Sequence, residues 1–113
     1  MSTMVRGRIY RLRLAGLEGE KYFVVVSNNA RNRALPSVLG VRFTTTAKPA
    51  LPSIVEIPDT EALPGGRVVC DDIVELFDDE VTADMGAVSP AVMSRIDTGL
   101  KAALGLLTTS AAS

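Results

Sequence analysis

Two stretches of this chain carry residues able to do chemistry together. From Gly16 to Asn29, a polar loop with Glu18, Glu20 and Lys21 runs into the apolar run Tyr22 to Val26, which gives way to Ser27, Asn28 and Asn29. From Ser37 to Thr46, Leu39, Val41 and Phe43 share one parity while Val38, Gly40, Arg42, Thr44 and Thr46 share the other. If the first set faces the core, Arg42 and Thr44 point away from it together. Thr45 then falls on the core side with Phe43 unless the strand bulges there. Carboxylates, an ammonium and a hydroxyl offer proton transfer and anion binding. The same residues also fit an ordinary polar hairpin, with Lys21 in an exposed ion pair to Glu18 or Glu20.

Composition narrows the means available. The 113 residues include no histidine and one cysteine, Cys70. That excludes an internal disulfide and a Cys/His metal site, and no metal or cofactor is expected. Chemistry falls to Lys, Arg, Asp, Glu, Ser, Thr or Tyr, and Cys70 reads as a small buried hydrophobe. The net charge of -1 is unevenly spread: residues 1 to 33 hold seven basic and two acidic side chains, the remainder five basic and eleven acidic. A first third at +5 can supply phosphate contacts, or its arginines can simply solvate strand edges. No apolar stretch approaches the roughly 20 residues that span a bilayer, and the N-terminus lacks the apolar core of a signal peptide. The expectation is one soluble, cytoplasmic domain over residues 1–113 with no membrane contact.

The elements that must position these groups are short. Residues 8–14 alternate as a strand with Tyr10, Leu12 and Leu14 inward and Arg11 and Arg13 wet, and Lys21 to Ser27 is apolar on both parities, as in a central strand. Asn28 to Pro36 reads as a loop in which Arg31 and Arg33 are free to reach a ligand. Ser53 to Ile57 is a short strand, and Arg67 to Phe77 is one long or two short strands broken around Cys70, Asp71 and Asp72. The acidic stretch 78–84 reads as a turn, followed by a short strand or coil over 85–88. Ser89-Pro90 opens a helix ending near Gly105, with Val92, Met93, Ile96, Leu100 and Leu104 at helical spacing. Residues 107–113 read as a frayed tail. Strands followed by one helix, without alternation, predict a mainly β fold: a small antiparallel barrel with a C-terminal helix.

Taken in order, these segments resemble the MazF/PemK family of toxin endoribonucleases. Arg6-Gly7-Arg8-Ile9-Tyr10 is similar to the family's first strand, Gly16-Leu17-Glu18 to its Gly-Ser-Glu loop, and Val24-Val25-Val26-Ser27-Asn28 to its second strand. Val41-Arg42-Phe43-Thr44-Thr45 stands in the place of the third strand, Asp71-Asp72-Ile73 of an acidic element, and Ile96-Asp97-Thr98-Gly99-Leu100 of the final helix. The resemblance spans residues 6–106. It implies an SH3-like barrel of the kind shared with the CcdB toxins, a homodimer, a cognate antitoxin partner, and metal-independent cleavage of single-stranded RNA at short sequences.

Such cleavage uses the neighbouring 2'-hydroxyl as nucleophile and leaves a 2',3'-cyclic phosphate and a 5'-hydroxyl. The family's catalytic pair, an arginine before the second strand and a threonine in the third, lands on Lys21 and Thr44, with Tyr22 in place of the usual proline. Lys21 is thereby assigned charge stabilisation and general-acid work, helped by Arg42 or an arginine of the 31–33 loop, Thr44 a phosphate oxygen, and Glu18 or Glu20 the base. Arg6, Arg8, Asn28, Asn29, Arg31, Arg33, Arg42 and Thr45 are the candidate RNA-binding residues, with Tyr10 and Tyr22 as stacking partners. Lysine lacks arginine's two-pronged fork. A non-catalytic, CcdB-like inhibitor of a protein target such as gyrase is therefore the alternative.

Overall fold

Period-two apolar patterns become six strands in the computed structural model, which describes residues 2–61 and 63–106. They are β1 (Arg8–Leu12), β2 (Lys21–Val25), β3 (Ser37–Thr44), β4 (Ile54–Glu56), β5 (Arg67–Phe77) and β6 (Val81–Ala87). Two helices, α1 (Asn29–Ala34) and α2 (Pro90–Leu104), complete the order. The strands form one sheet in the order β4-β5-β3-β2-β1-β6, antiparallel at every pairing. The expected mainly β architecture with a C-terminal helix is therefore the one observed.

Each face of the sheet carries its own core. On one, Ile9, Val24, Val41 and Phe43 pack with Val92 and Ile96 of α2. On the other, Tyr10, Leu12, Phe23, Val25, Val38 and Leu76 pack together. A central strand apolar on both parities is what β2 needs under this arrangement.

The single wet face expected for β3 is corrected. Val38 is fully buried although it shares parity with Arg42 and Thr44, because that face runs from the second core into an open cleft along one strand. Gly40 marks the tight passage, since a Cβ there would lie 2.5 Å from Leu76 Cδ1. Thr45 does not enter the core with Phe43; β3 ends at Thr44 and Thr45 is exposed.

Three further readings are refined. The 28–36 loop contains α1, with Asn28 as N-cap accepting from Arg31 N at 2.8 Å. Asn32, 1% exposed, locks this helix to the end of β2: Ser27 Oγ donates to its Oδ1 at 2.5 Å and its Nδ2 donates to Ser27 O at 3.0 Å. The acidic turn is confined to a 3-10 turn at Asp78–Glu80, and β6 begins at Val81 because β1 supplies a ladder partner. β5 is one long strand whose register with β3 jumps from Val41↔Ile73 to Arg42↔Val69, leaving Cys70, Asp71 and Asp72 bulged. The frayed tail expected over 107–113 lies outside the described residues.

Helix α2 starts and stops where its caps dictate. Ser89 Oγ accepts from Val92 N, Pro90 occupies the first turn, and Gly105 closes the helix in the left-handed region at φ 71°. The helix lies close on the sheet at Gly99, where a Cβ would stand 2.8 Å from Cys70 Sγ and 3.1 Å from Val55 Cγ2. Gly99→Ala gains about 1 kcal/mol of helix propensity, but Cys70 and Val55 are buried and have nowhere to yield. Overpacking of about 1–3 kcal/mol wins, so the variant is expected to melt below the wild type; a higher melting temperature would refute the close packing. Burial, with Asp71 and Asp97 nearby, pushes the Cys70 thiol up to about 11, so it remains protonated and apolar, as read.

Candidate active site

The ladder between β2 and β3 brings the two chemically armed stretches together. Its outermost registered pair is Tyr22↔Phe43, and the next step outward sets Lys21 beside Thr44. These residues line a cleft of about 200 Å³ with Glu20, Arg42 and Thr45. The Tyr22 and Phe43 rings form its apolar side, tilted at 37° with centroids 6.3 Å apart. Gly66 underlies this pair, since a Cβ there would come 2.4 Å from Phe43 Cζ.

The cleft is cationic by subtraction. Lys21 forms no ion pair among the described residues, so the exposed-pair reading of it is set aside. Glu20, the one carboxylate lining the cleft among the described residues, is instead held by Arg11 at 3.2 Å and Arg13 at 3.9 Å. The Thr82 side chain first, then Arg11 and Arg13, keep the Glu20 carboxyl below the usual carboxylate range. A depressed carboxylate is a weaker proton acceptor, which counts against Glu20 as the main base. Glu18 is exposed in the loop and does not line the cleft.

Thr44 is set as a donor. Its Oγ1 accepts from Thr46 N at 3.1 Å, which spends a lone pair and leaves the O–H for an incoming oxygen. Arg42 lies beside it with its Nε out of solvent and without a hydrogen-bond partner, an omission that costs about 1–3 kcal/mol when a donor is buried. The linear sequence carried no sign of that unpaired donor.

Most of the other expected RNA contacts are turned to structural work. Arg6 donates to Val26 O and grips Asp97 at 2.6 and 2.7 Å, joining the N-terminal segment to β2 and α2. Arg8 pairs with Asp84 of β6 at 3.0 Å. Acidic residues from the later part of the chain thus take up Arg6 and Arg8, and Glu20 takes up Arg11 and Arg13, so only part of the linear excess of positive charge remains unpaired among the described residues. Asn28 caps α1, Asn29 Oδ1 accepts from Arg6 N at 2.9 Å, and Arg31 Nη1 donates to Ser37 O at 2.9 Å. Arg33 borders a separate depression with Ser2 to Val5. Tyr10 is buried, its hydroxyl accepting from Val5 N at 3.0 Å, which removes it as a stacking partner and leaves Tyr22. A larger depression of about 570 Å³ between the β1–β2 loop and the 3-10 turn sets Arg13 against Asp79 and Glu80, a balance unsuited to a polyanion.

Comparison with known proteins decides what scaffold this is. Residues 5–104 match the model of the family described as PemK-like, MazF-like toxin of type II toxin-antitoxin system. The chain belongs to this toxin family. Among curated relatives, it is 42% identical over 106 residues to endoribonuclease MazF1 of Mycobacterium bovis and to endoribonuclease MazF4 of Mycobacterium tuberculosis, covering 94% of this chain and 97% of each relative. A mycobacterial endoribonuclease solved in complex with its cognate antitoxin superposes with a TM-score of 0.85 at 39% identity, over 95% of this chain and all of that one. A MazE-MazF complex from Deinococcus radiodurans, 21% identical with a TM-score of 0.75 over 92% of this chain and 97% of that one, shares the fold. In this MazF-like toxin, Lys21 and Thr44, the two positions that the sequence resemblance singled out, line one cleft.

Proposed function

We propose that this chain is the toxin endoribonuclease of a toxin–antitoxin pair, cutting single-stranded RNA at short sequences in the Lys21/Thr44 cleft. The observation that carries the reading is an unpaired ammonium beside a hydroxyl preset to donate, at the end of a buried ladder, in a chain of this family. The 2'-oxygen attacks the adjacent phosphorus, the P–O5' bond breaks, and the proton lost at the 2'-hydroxyl is matched by one gained at the 5'-oxygen. Lys21 offsets the charge growing on the phosphorane and supplies the proton to the leaving oxygen; Thr44 donates to a non-bridging oxygen. Glu20, the carboxylate lining the cleft, accepts the 2'-proton, less readily than a free carboxylate because Arg11 and Arg13 already engage it. Tyr22 offers an apolar face on which a base can stack, and Arg42 and Thr45 border the strand's path. The toxin acts as a homodimer, without metal, and is held in check by its antitoxin; the antitoxin-bound relative supports that last point.

The test is to incubate the purified protein with total RNA in EDTA and map new ends. Fresh 5'-hydroxyl ends at a recurring short sequence, with 2',3'-cyclic phosphate on the upstream fragment, are the expected result. Intact RNA alongside growth arrest in cells would overturn the reading in favour of inhibition of a protein target. Light scattering checks the dimer, which a species of single-chain mass would contradict.

A further inference from the structure

Arg42 differs from the arginines around it in how its hydrogen-bond donors are used. Arg6, Arg8, Arg11, Arg13 and Arg67 each face a carboxylate of the chain. Arg42 faces none among the described residues, and its buried Nε–H donates to nothing. Its position explains the isolation. Across the ladders Arg42 stands opposite Phe23 on one side and Val69 on the other, apolar neighbours that offer no acceptor. The bulge at Cys70 to Asp72 begins at the same step, so the neighbouring strand's carboxylates are displaced from register with it, and Asp71 accepts from Ser53 Oγ at 2.5 Å. Glu20, the carboxylate lining the cleft, is taken by Arg11 and Arg13.

From this geometry we infer that Arg42 is the phosphate-orienting residue of the cleft, its Nε–H and one Nη–H gripping the two non-bridging oxygens of the scissile phosphodiester. This rests on the RNA-cleaving reading above and adds a division of labour to it. The Nε–H and the neighbouring Nη–H lie along one planar edge and match two oxygens on one phosphorus, which a lysine ammonium cannot do. A side chain half-exposed at the cleft turns that edge outward through its last torsions, and the phosphate then satisfies a donor that the free protein leaves unmet. Lys21 is thereby relieved of orienting the phosphate and left to donate to the 5'-oxygen, the task for which an ammonium suffices.

The experiment uses RNA carrying the mapped cleavage site with sulfur in place of one or the other non-bridging oxygen at the scissile phosphate. Wild type and Arg42→Lys are assayed on the oxygen and both sulfur substrates, with thermal melts to establish folding. Arg42→Lys is expected to cleave the oxygen substrate about 100-fold more slowly, the scale of one lost transition-state donor pair. Sulfur should slow the wild type, and that slowing should shrink in the variant because the fork that sensed it is gone. A purely structural role would lower the rate and leave the sulfur effect unchanged, which would overturn the assignment. So would a folded Arg42→Lys that cleaves like wild type while Lys21→Ala does not cleave, an outcome that leaves the RNA-cleaving reading intact. If Arg42→Lys does not fold, Thr44→Ala decides, since it removes the other donor to a non-bridging oxygen: slowing by sulfur at both positions that persists in Thr44→Ala supports the fork, and its loss there overturns it. Wild type that cuts no RNA overturns the reading and the assignment together.

Discussion

Lys21→Ala is expected to lower RNA cleavage by about 10²–10³-fold, the scale on which removing one charge-stabilising or proton-donating group slows a reaction. The size follows from what surrounds the ammonium. Glu20 is drawn to Arg11 and Arg13, so among the described residues no free carboxylate in the cleft shares the Lys21 charge, and the other donors lining it are the hydroxyls of Tyr22, Thr44 and Thr45 and the guanidinium of Arg42. Because Lys21 sits half-buried at the first position of β2 without an ion pair, truncating it should shift stability by no more than about 0.5 kcal/mol. Rate and stability therefore separate. Thr44→Ala should cost less, because it removes one neutral donor where Lys21→Ala removes a charge and a proton source. Glu20→Gln should cost less still. Single-turnover cleavage of the mapped site, with melting curves alongside, checks the ranking. Lys21→Ala cutting within a few-fold of wild type would move the chemistry out of this cleft.

How far the site was legible depends on whether its signals were local. Lys21 and Thr44 share a cleft because of a ladder register; parity placed Arg42 and Thr44 on one face of β3, and the pairing with Lys21 came from the family resemblance, since parity alone sets no register. The α2 boundaries were legible locally, since Ser89, Pro90 and Gly105 act on their own turns. Features that depend on distant partners were not. Six residues are too few to show an apolar stripe, so α1 is invisible until Asn32 meets Ser27. The basic first third could not show that Asp84 and Asp97 would fold onto Arg8 and Arg6 and take those two arginines out of any RNA-facing surface. Val38 and Arg42 share a strand face but not an environment, because what covers that face changes along its length. The isolation of Arg42 was least readable of all, since it arises from a bulge on another strand and from a carboxylate engaged elsewhere.

Phe23→Ala carries the largest expected effect on stability, about 3–5 kcal/mol. Phe23 is 1% exposed and heads the fully buried side chains by volume. It lies on a central strand between Tyr10 of β1 and Arg42 of β3, so the ring closes the second core from both sides. The backbone around it is held by ladders to two strands and cannot collapse inward, which keeps the cavity open and the cost near the top of that range. A domain of this size has about 5–15 kcal/mol to lose, so its melting temperature should drop on the order of ten to twenty degrees. Urea midpoints should fall with an unchanged slope if the native state stays compact. The loss should also reach the cleft, because the ring is the direct cross-strand neighbour of Arg42 and removing it frees the guanidinium to settle inward. Phe23→Leu refills most of that space, and cleavage per folded molecule should recover with stability. A Phe23→Ala protein within about 1 kcal/mol of wild type would show that the second core tolerates a void there, and that the floor beneath Arg42 is not held by this ring.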